Sequence, residues 1–543
     1  MSSVPLSGSE RAAQREKALI ELGRGDVTSA YQLFKSVVDV DTEDSIAWLG
    51  LGECLEKMSS MKSAMHAYGQ ARRVDPNSYL AAHGLGRMLI ALGHFKTAVN
   101  VLKDSVAHSP GSEAAWCDLG TALTNLKQYS DAEHSFQKAI SLNPKYALSY
   151  LNLGTNFRER GAPEDAIGNY RKSLSLDPDS VHAATSLAAT LSDVGDMDTA
   201  IEVVDQYLEH HPNDIEAHQN KALFLLRGGK LGAGFEEYEW RLRPSRFGIP
   251  IRPFQYPTWR GDKLKNRSLL IWLEQGIGDE ILSLSIWNSF LHSDEGHRCI
   301  IESDLRLTDL IKRSFPFVTV VDRQTPPDYK TEKANLTCPA WSGARFLGVP
   351  PIYTSDKRHY LVADSAASSA LRKKYERLAQ GKAIVGLSWS SDARKGHLKT
   401  PPISSWDILM QDEDCFFVSL QHAPSEDDVT HLSEMSGGRF HIDTPAEAPV
   451  SFDDHASEIS ALDAIITISN STAHLAGALG TPVATVVPSG YGGFWYWFRG
   501  RSDSPWYPSM RICRQPGPGV WPPAISSAHV WLKEILQTAQ HLS

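Results

Sequence analysis

The sequence predicts an α-helical solenoid followed by an α/β region of two doubly wound, parallel-sheet halves. Three observations carry this. Prolines recur every 34 residues, at Pro76, Pro110, Pro144, Pro178 and Pro212. That period stops after Arg243, where Pro244, Pro250, Pro253 and Pro257 mark a linker. Beyond the linker, short β-rich runs alternate with helical stretches, the rhythm of parallel strands joined by crossover helices.

The repeat is more than a spacing of prolines. Ala64, Ala98, Ala132, Ala166 and Ala200 stand twelve residues before them, and Gly52, Gly86, Gly120, Gly154 and Ala188 stand twenty-four before. Small residues at fixed positions let two antiparallel helices approach, and a proline that cannot continue a helix ends the second one. Five clear units run from about 43 to 212. A sixth precedes them, with Ala30 in register and Thr42 in place of proline, and a degenerate seventh follows, with Gly234 in place of Ala. These residues resemble the tetratricopeptide repeat family, which implies a concave protein-binding groove. Nucleocytoplasmic O-linked sugar transferases with this repeat carry an asparagine ladder along that groove. The matching positions here are Gly50, Gly84, Asp118, Asn152, Ser186 and Asn220, so the ladder is mostly absent.

Composition sets outer limits. Apolar residues make up 42% and charged residues 22% of the 543, which excludes a chain disordered throughout, a collagen-like fibre and a small disulfide scaffold. Lys and Arg number 54 against 64 Asp and Glu, a formal charge of −10. A nucleic-acid binder needs a basic face, so no nucleic-acid partner is expected. Cys54, Cys117, Cys299, Cys338, Cys415 and Cys513 form no Cys-x-x-Cys pair, so reduced thiols are expected and a zinc site is not. The N-terminus lacks the regions of a signal peptide. No apolar run approaches the ~20 residues that span a bilayer. A cytoplasmic location is the expectation.

Strands are expected at 269–274, 299–302, 318–322, 384–389, 415–421, 465–469 and 483–488. A break near 365–382 divides the α/β region, giving domains 1–245, 246–372 and 373–543. Ligands of doubly wound, Rossmann-like sheets bind at the carboxyl ends of strands, and three constellations sit there. The first is Glu274-Gln275-Gly276-Ile277-Gly278-Asp279-Glu280, where paired glycines let backbone approach a ligand and a helix begins. Asp279 either favours the positive end of that helix or acts as a general base. The second is Ser388 and Trp389, followed by a loop bearing Arg394, Lys395, His397 and Lys399, which suggests an anion. The third is Ser469-Asn470-Ser471-Thr472-Ala473-His474. It runs from a buried strand into a small-residue helix and makes a pyrophosphate cradle. Taken singly, Ser471 and Thr472 read equally as ordinary caps and His474 as a satisfied core residue.

Together, Gly276-x-Gly278-Asp279, Lys399-x-x-Pro402-x-x-x-Trp406 and Asn470-Ser471-x-x-His474-Leu475-Ala476 resemble the ADP-heptose:lipopolysaccharide heptosyltransferase family over roughly 265–535. The resemblance implies the two-domain glycosyltransferase-B fold, with Asp279 as general base and Lys399 on donor phosphate. It further implies that the turn Ser469–His474 binds the donor nucleotide, and the candidate donor-binding residues are Gly276, Gly278, Ser388, Trp389, Lys399, Gln421, Asn470, Ser471, Thr472 and His474. The chain departs at Ser469 and Ser471, where the family usually has Asp and Gly. It is similar, too, to bacterial proteins that join tetratricopeptide repeats to such a domain, through Tyr238-Glu239-Trp240-Arg241 and Ser504-Pro505-Trp506-Tyr507-Pro508-Ser509-Met510-Arg511. Some members resemble flagellin glycosyltransferases.

The aromatic run 490–498 reads equally as a stacking platform at the cleft or as core. Asp453-Asp454-His455 sits at a helix start and needs no metal. The expectation is an inverting, metal-independent glycosyltransferase with no cofactor. It takes a nucleotide-sugar as substrate and glycosylates a protein captured by the repeats, with flagellin as one candidate acceptor. Two alternatives stand beside it: a non-catalytic scaffold with a degenerate transferase half, and a nucleotide-sugar epimerase or hydrolase.

Overall fold

The computed structural model describes residues 8–244, 252, 254–324, 334–350, 359–391, 396–443, 451–490 and 493–542. Contacts divide the chain into two compact units, Met1–Thr190 and Leu191–Ser543. Among the described residues no helix is long and apolar enough to cross a membrane. All six cysteines are buried free thiols.

Among the described residues fourteen helices precede the sheets, and consecutive ones pair as hairpins, from Gly8–Gly23 with Val27–Val38 to Pro163–Leu176 with its predecessor in the first unit and Ile215–Arg227 with Leu231–Tyr238 in the second. The glycine period has a steric cause. A Cβ on Gly120 would lie 2.6 Å from the Phe136 ring, on Gly154 2.8 Å from Tyr170, on Gly52 2.7 Å from Tyr68, and on Gly86 2.5 Å from Leu102. Each glycine therefore makes room for the large residue sixteen positions on.

Two further 34-residue periods escaped the proline count. Asp44, Ser78, Ser112, Ser180 and Asp214 cap first helices through the amides of Ala47, Ala81, Ala115, Ala183 and Ala217, satisfying helix-end donors that would otherwise be orphaned. Within the hairpin turns, Gly25, Ser59, Gly93, Lys127, Gly161, Gly195 and Gly229 all take positive φ. Glycine does so without strain, which leaves Ser59 and Lys127 as the strained exceptions. The prolines follow the second helices rather than end them: Val74 is the last helical residue and Asp75 is the cap before Pro76.

The asparagine-ladder positions are occupied from within. A Cβ at Gly50 would overlap the Phe34 ring, and one at Gly84 would come within 2.5 Å of Tyr68. Asp118 is paired with His83 at 2.7 Å, and Asn152 donates to Thr121 at 3.1 Å.

The α/β region holds two parallel sheets. β1 (Leu269–Trp272), β2 (Cys299–Ser303), β3 (Thr319–Asp322) and β4 (Leu336–Pro339) lie in the order β3-β2-β1-β4. β5 (Ala383–Ser388), β6 (Cys415–Ser419), β7 (Phe440–His441), β8 (Ala464–Ile468), β9 (Val483–Val487) and β10 (Met510–Arg514) lie in the order β10-β9-β8-β5-β6-β7. Counted from β5, that is the doubly wound order 3-2-1-4-5-6 read from the other edge. Strands β4, β7 and β10 were not expected from the sequence. β4 ends in proline, β7 is two residues long, and β10 is flanked by charged and aromatic residues rather than by an apolar run.

Two boundaries differ from the sequence reading. The stretch 365–382 is not a break, because Ser365–Ala379 is a helix. It packs on β5, β6 and the helix Phe452–Ser460, and Arg372 reaches Asp463 at 2.6 Å. It thus belongs with the second sheet, which begins its domain before 373. The last hairpins likewise group with the sheets rather than with a unit ending at 245: Ala222, Leu226, Phe235 and Tyr238 join the core that holds Trp287, Trp341 and Trp495.

A fragment ending at Thr190 should therefore remain monomeric and unfold cooperatively. One ending at 245 exposes Phe235 and Leu226, side chains worth about 1.5–3 kcal/mol each when buried, and should self-associate. Light scattering of the two fragments separates these outcomes.

Candidate functional site

The carboxyl end of β1 is fixed by a buried ion pair. Arg241 and Glu274 are 4% and 3% exposed, and Arg241 donates twice to Glu274, at 3.0 and 2.6 Å. Its remaining donors reach the Tyr238 carbonyl, Glu239 and Ser342. Burial alone would lower the Arg241 pKa, but Glu274 carries it above the usual value. The Trp341 amide donates to Glu274 as well, at 3.3 Å. Gln275 follows with φ +71°, a strained conformation for a non-glycine residue. Its amide donates to the Tyr238 hydroxyl at 2.6 Å.

Gly276 then caps the helix Ile277–Leu291, and its amide donates to Asp279 at 3.2 Å. Asp279 is half-buried. Burial pushes its pKa up to about 6, a rise that Glu274 adds to and that Lys399 and the Gly276 amide oppose. Its neighbour Glu280 points elsewhere. Glu280 is 1% exposed, accepts from Arg323 and from the Asp304 amide, and is pushed up to about 7 by burial.

Lys399, placed after β5, is 8% exposed. Burial lowers its pKa and Asp279 raises it, so the two side chains share a field although they come from opposite halves. The Lys399 ammonium lies 5.2 Å from the centre of the Phe494 ring. Phe494 is 41% exposed. Its neighbours Trp495, Tyr496, Trp497 and Phe498 are core, so among its described residues the aromatic run is filler in four and surface in one. The structure thus brings Asp279, Lys399 and Phe494 together beneath Tyr496, whose pKa burial and Asp279 raise well above the usual value.

Other sequence-selected residues have structural partners. Gln421 Oε1 accepts from Ser388 Oγ, the Trp389 amide and the Ser390 amide at 3.0–3.1 Å. Asn470 donates to Ser388 at 2.8 Å and caps the helix Ser471–Leu479 through the Ala473 amide. Gln421, Ser388, Trp389, Ser390 and Asn470 together knot the carboxyl ends of β5, β6 and β8. Ser471 opens that helix half-buried, and Thr472 bonds His455, which also holds Glu458. Asp453 takes Arg313.

His474 departs furthest from the sequence reading. It is 2% exposed, pairs with the Tyr507 hydroxyl at 2.8 Å and stacks on Trp497 at 4.9 Å. Burial, with Lys399 adding, lowers its pKa to about 3, so it is neutral at physiological pH and brings no charge to an anion. It explains Gly278 instead. A Cβ there would lie 2.7 Å from the His474 ring, so this glycine serves packing between the halves rather than the approach of a ligand. Ser469 accepts from Trp497 Nε1 at 2.7 Å. Arg394, Lys395, Tyr491 and Gly492 lie outside the described residues, as does the side chain of His397. Among the described residues, no three His, Cys, Asp or Glu side chains are grouped as metal ligands.

Arg241, Glu274 and Phe494 were not singled out by chemistry in the sequence. For the first two the signal was a Tyr-Glu-Trp-Arg stretch and a Glu that are 33 residues apart and meet only in three dimensions.

Helical hairpins of this period, followed by parallel sheets, define the class. The tetratricopeptide repeat family matches residues 15–78, 113–146 and 157–223, so the N-terminal region carries tetratricopeptide repeats. The chain is similar to Protein FlbA of Caulobacter vibrioides, 28% identical over 346 residues that cover 58% of this chain and 54% of that protein. It spans about half the length of this curated relative. Solved structures similar in part are a thermophilic TPR protein of Thermus thermophilus (23% identity, 34% of this chain, 99% of that one, TM-score 0.31) and PilF of Pseudomonas aeruginosa (18%, 39%, 96%, 0.34).

Replacing Arg241 by Ala strands the Glu274 carboxylate in the core and should cost about 3–5 kcal/mol. Exchanging both residues for Met should recover most of that loss in urea unfolding, because neither charge is then left unpaired.

Proposed function

We propose that the chain is an inverting, metal-independent glycosyltransferase of glycosyltransferase-B architecture. It moves a sugar from a nucleotide-sugar to a protein held by the repeats, with flagellin as a candidate acceptor. The observation that carries this reading is the convergence of Asp279, poised near pKa 6, with Lys399 and an exposed aromatic ring at the strand ends where doubly wound sheets bind ligands.

The acceptor hydroxyl gives its proton to Asp279 while its oxygen bonds the anomeric carbon. The bond from that carbon to the phosphate oxygen breaks, and its electron pair leaves with the nucleoside diphosphate. Lys399 and the first amides of the helix Ser471–Leu479 meet the charge that develops there. His474, neutral and enclosed, positions this helix rather than the phosphate. Phe494 offers a face for a base or sugar ring.

One observation favours the rival scaffold reading: Asp279 already has a structural task, accepting the Gly276 amide. Asp279→Asn decides between them. A general base contributes about 100- to 10,000-fold, so transfer, read as a mass increment on the acceptor, should fall at least 100-fold. Unchanged transfer removes Asp279 as base, and no transfer by the native chain from any donor favours the scaffold.

The pH dependence has a definite sign. A base must be ionised, so the rate of the native chain should rise with pH through about 6 and level off above it. For stability the folded pKa lies above the unfolded one. Ionisation of Asp279 therefore opposes folding, an effect absent below the unfolded pKa near 3.8 and complete above about 6. Asp279→Asn should consequently be neutral or stabilising at pH 7–8, by about 1 kcal/mol once the weakened Gly276 bond is set against it.

Lys399→Ala should weaken binding of a nucleoside diphosphate about tenfold, as read by calorimetry, with little change in Tm. Unaltered affinity returns Lys399 to a merely packed residue.

A further inference from the structure

A second cationic constellation lies at the carboxyl ends of β9 and β10, built from residues that the reading above does not use. Arg227 donates to the Gly490 carbonyl at 3.1 Å and to Asp193 and Ser192 at 3.1 Å. Arg514 donates to the carbonyls of Pro488, Trp497 and Phe498. Arg499 holds the carbonyls of Ser192 and Asp193. Ser489 is thus bracketed by carbonyls that two of the arginines hold.

Gln515, next to Arg514, closes the constellation. It is 4% exposed, and its Oε1 accepts the Ser489 amide at 3.1 Å. Its Nε2 and the Ser489 hydroxyl are both buried with no hydrogen-bond partner among the described residues.

Two imbalances coincide here. Three guanidinium groups cluster here, and the Asp193 carboxylate pairs with Arg227 and supports Arg499 but not Arg514, which leaves an excess of positive charge. Burial lowers the Arg514 pKa to about 10, with Arg227 and Arg499 adding to the fall. Burial lowers the Arg499 pKa too, helped by Arg227 and opposed by Asp193. The orphaned Nε2 and hydroxyl are both donors. A buried donor without an acceptor costs free energy, and clustered like charges cost more. One group answers both imbalances, an anion with several acceptor oxygens, and Arg geometry suits such an anion.

We propose that Ser489, Gln515, Arg514, Arg499 and Arg227 form a phosphate-class oxyanion site, distinct from the strand ends around Asp279 and Lys399. It stands whether or not the chain transfers sugar. The oxyanion could come from free phosphate or from a diphosphate, so both serve as probes.

The test is the Tm of the full chain, with and without millimolar inorganic phosphate or pyrophosphate, in a buffer free of other oxyanions. In inorganic phosphate the native chain should gain several degrees, and Lys399→Ala should keep most of that gain. Gln515→Glu supplies a built-in carboxylate, so it should melt higher without any added anion and lose at least tenfold in phosphate affinity by calorimetry. Arg499→Ala should lose the phosphate response without the gain in Tm. The proposal is overturned if phosphate leaves the native Tm unchanged, or if Gln515→Glu melts lower and still binds phosphate. It is overturned equally if the response disappears in Lys399→Ala while persisting in Gln515→Glu. That last result would place the phosphate at the Lys399 cradle and leave the transferase reading intact.

Discussion

Arg241 reaches from the turn after the last repeat helix into the core, where it meets Glu274 at the end of β1. Two charges held without water are costly unless every donor and acceptor is used, and here Tyr238, Glu239, Ser342 and the Trp341 amide use them. The pair fixes the chain one residue before Gln275, whose positive φ turns it sharply. That turn sets where Gly276 begins its helix and so where Asp279 sits. A residue in the turn after the last repeat helix thereby bears on the position of a carboxylate 38 positions along the chain.

The same ground is contested by packing. Gly278 is bare so that His474 can lie against the helix N-terminus, and His474 is held by Tyr507 and Trp497. Next to that packed glycine, burial raises the pKa of Asp279. Burial that would be a mere cost in a scaffold is also what brings a carboxylate near the pH at which a base works best. Lys399 shows the complementary effect, its charge opposed by burial and supported by Asp279. Each makes the other's charge cheaper to hold, without the close contact that would leave both satisfied.

Periodicity made the repeats legible. A spacing of 34 residues repeated four times, across five prolines, has one physical explanation, and the caps and left-handed turns obey it as well. Most strands were legible as apolar runs. β7 was not, being two residues long, nor was β4, which ends in proline. The site was legible only as a set of loops. The sequence could say that residues near 279, 399 and 470 fall at strand ends, because chain order fixes that. It could not say which of them face a ligand. Asn470, Ser388 and Gln421 turned inward to bond one another, and His474 joined the core, because small polar residues at a strand end satisfy a neighbouring loop as readily as a ligand. Phe494 was hidden for the opposite reason: in a run of five aromatic residues, composition does not reveal which one lacks a lid.

The aromatic run also ties the last repeats to the sheets. Arg227, at the end of the helix Ile215–Arg227, holds the Gly490 carbonyl, and Arg499 holds the backbone of Ser192 and Asp193. Between these anchors lie Phe494, beside Lys399, and Trp495, packed on Phe235 of the final hairpin. The position of the exposed ring is therefore set by hydrogen bonds whose other ends are repeat residues. Repeat helices contact mainly their neighbours, so a shift in the last hairpin has few places to be absorbed before it reaches these bonds. Where Arg241 fixes the carboxylate from one side, Arg227 and Arg499 fix the ring from the other, and both depend on the same two hairpins. Carboxylate and ring alike are thus held by bonds whose other ends are residues of the last repeat helices and the turn that follows them.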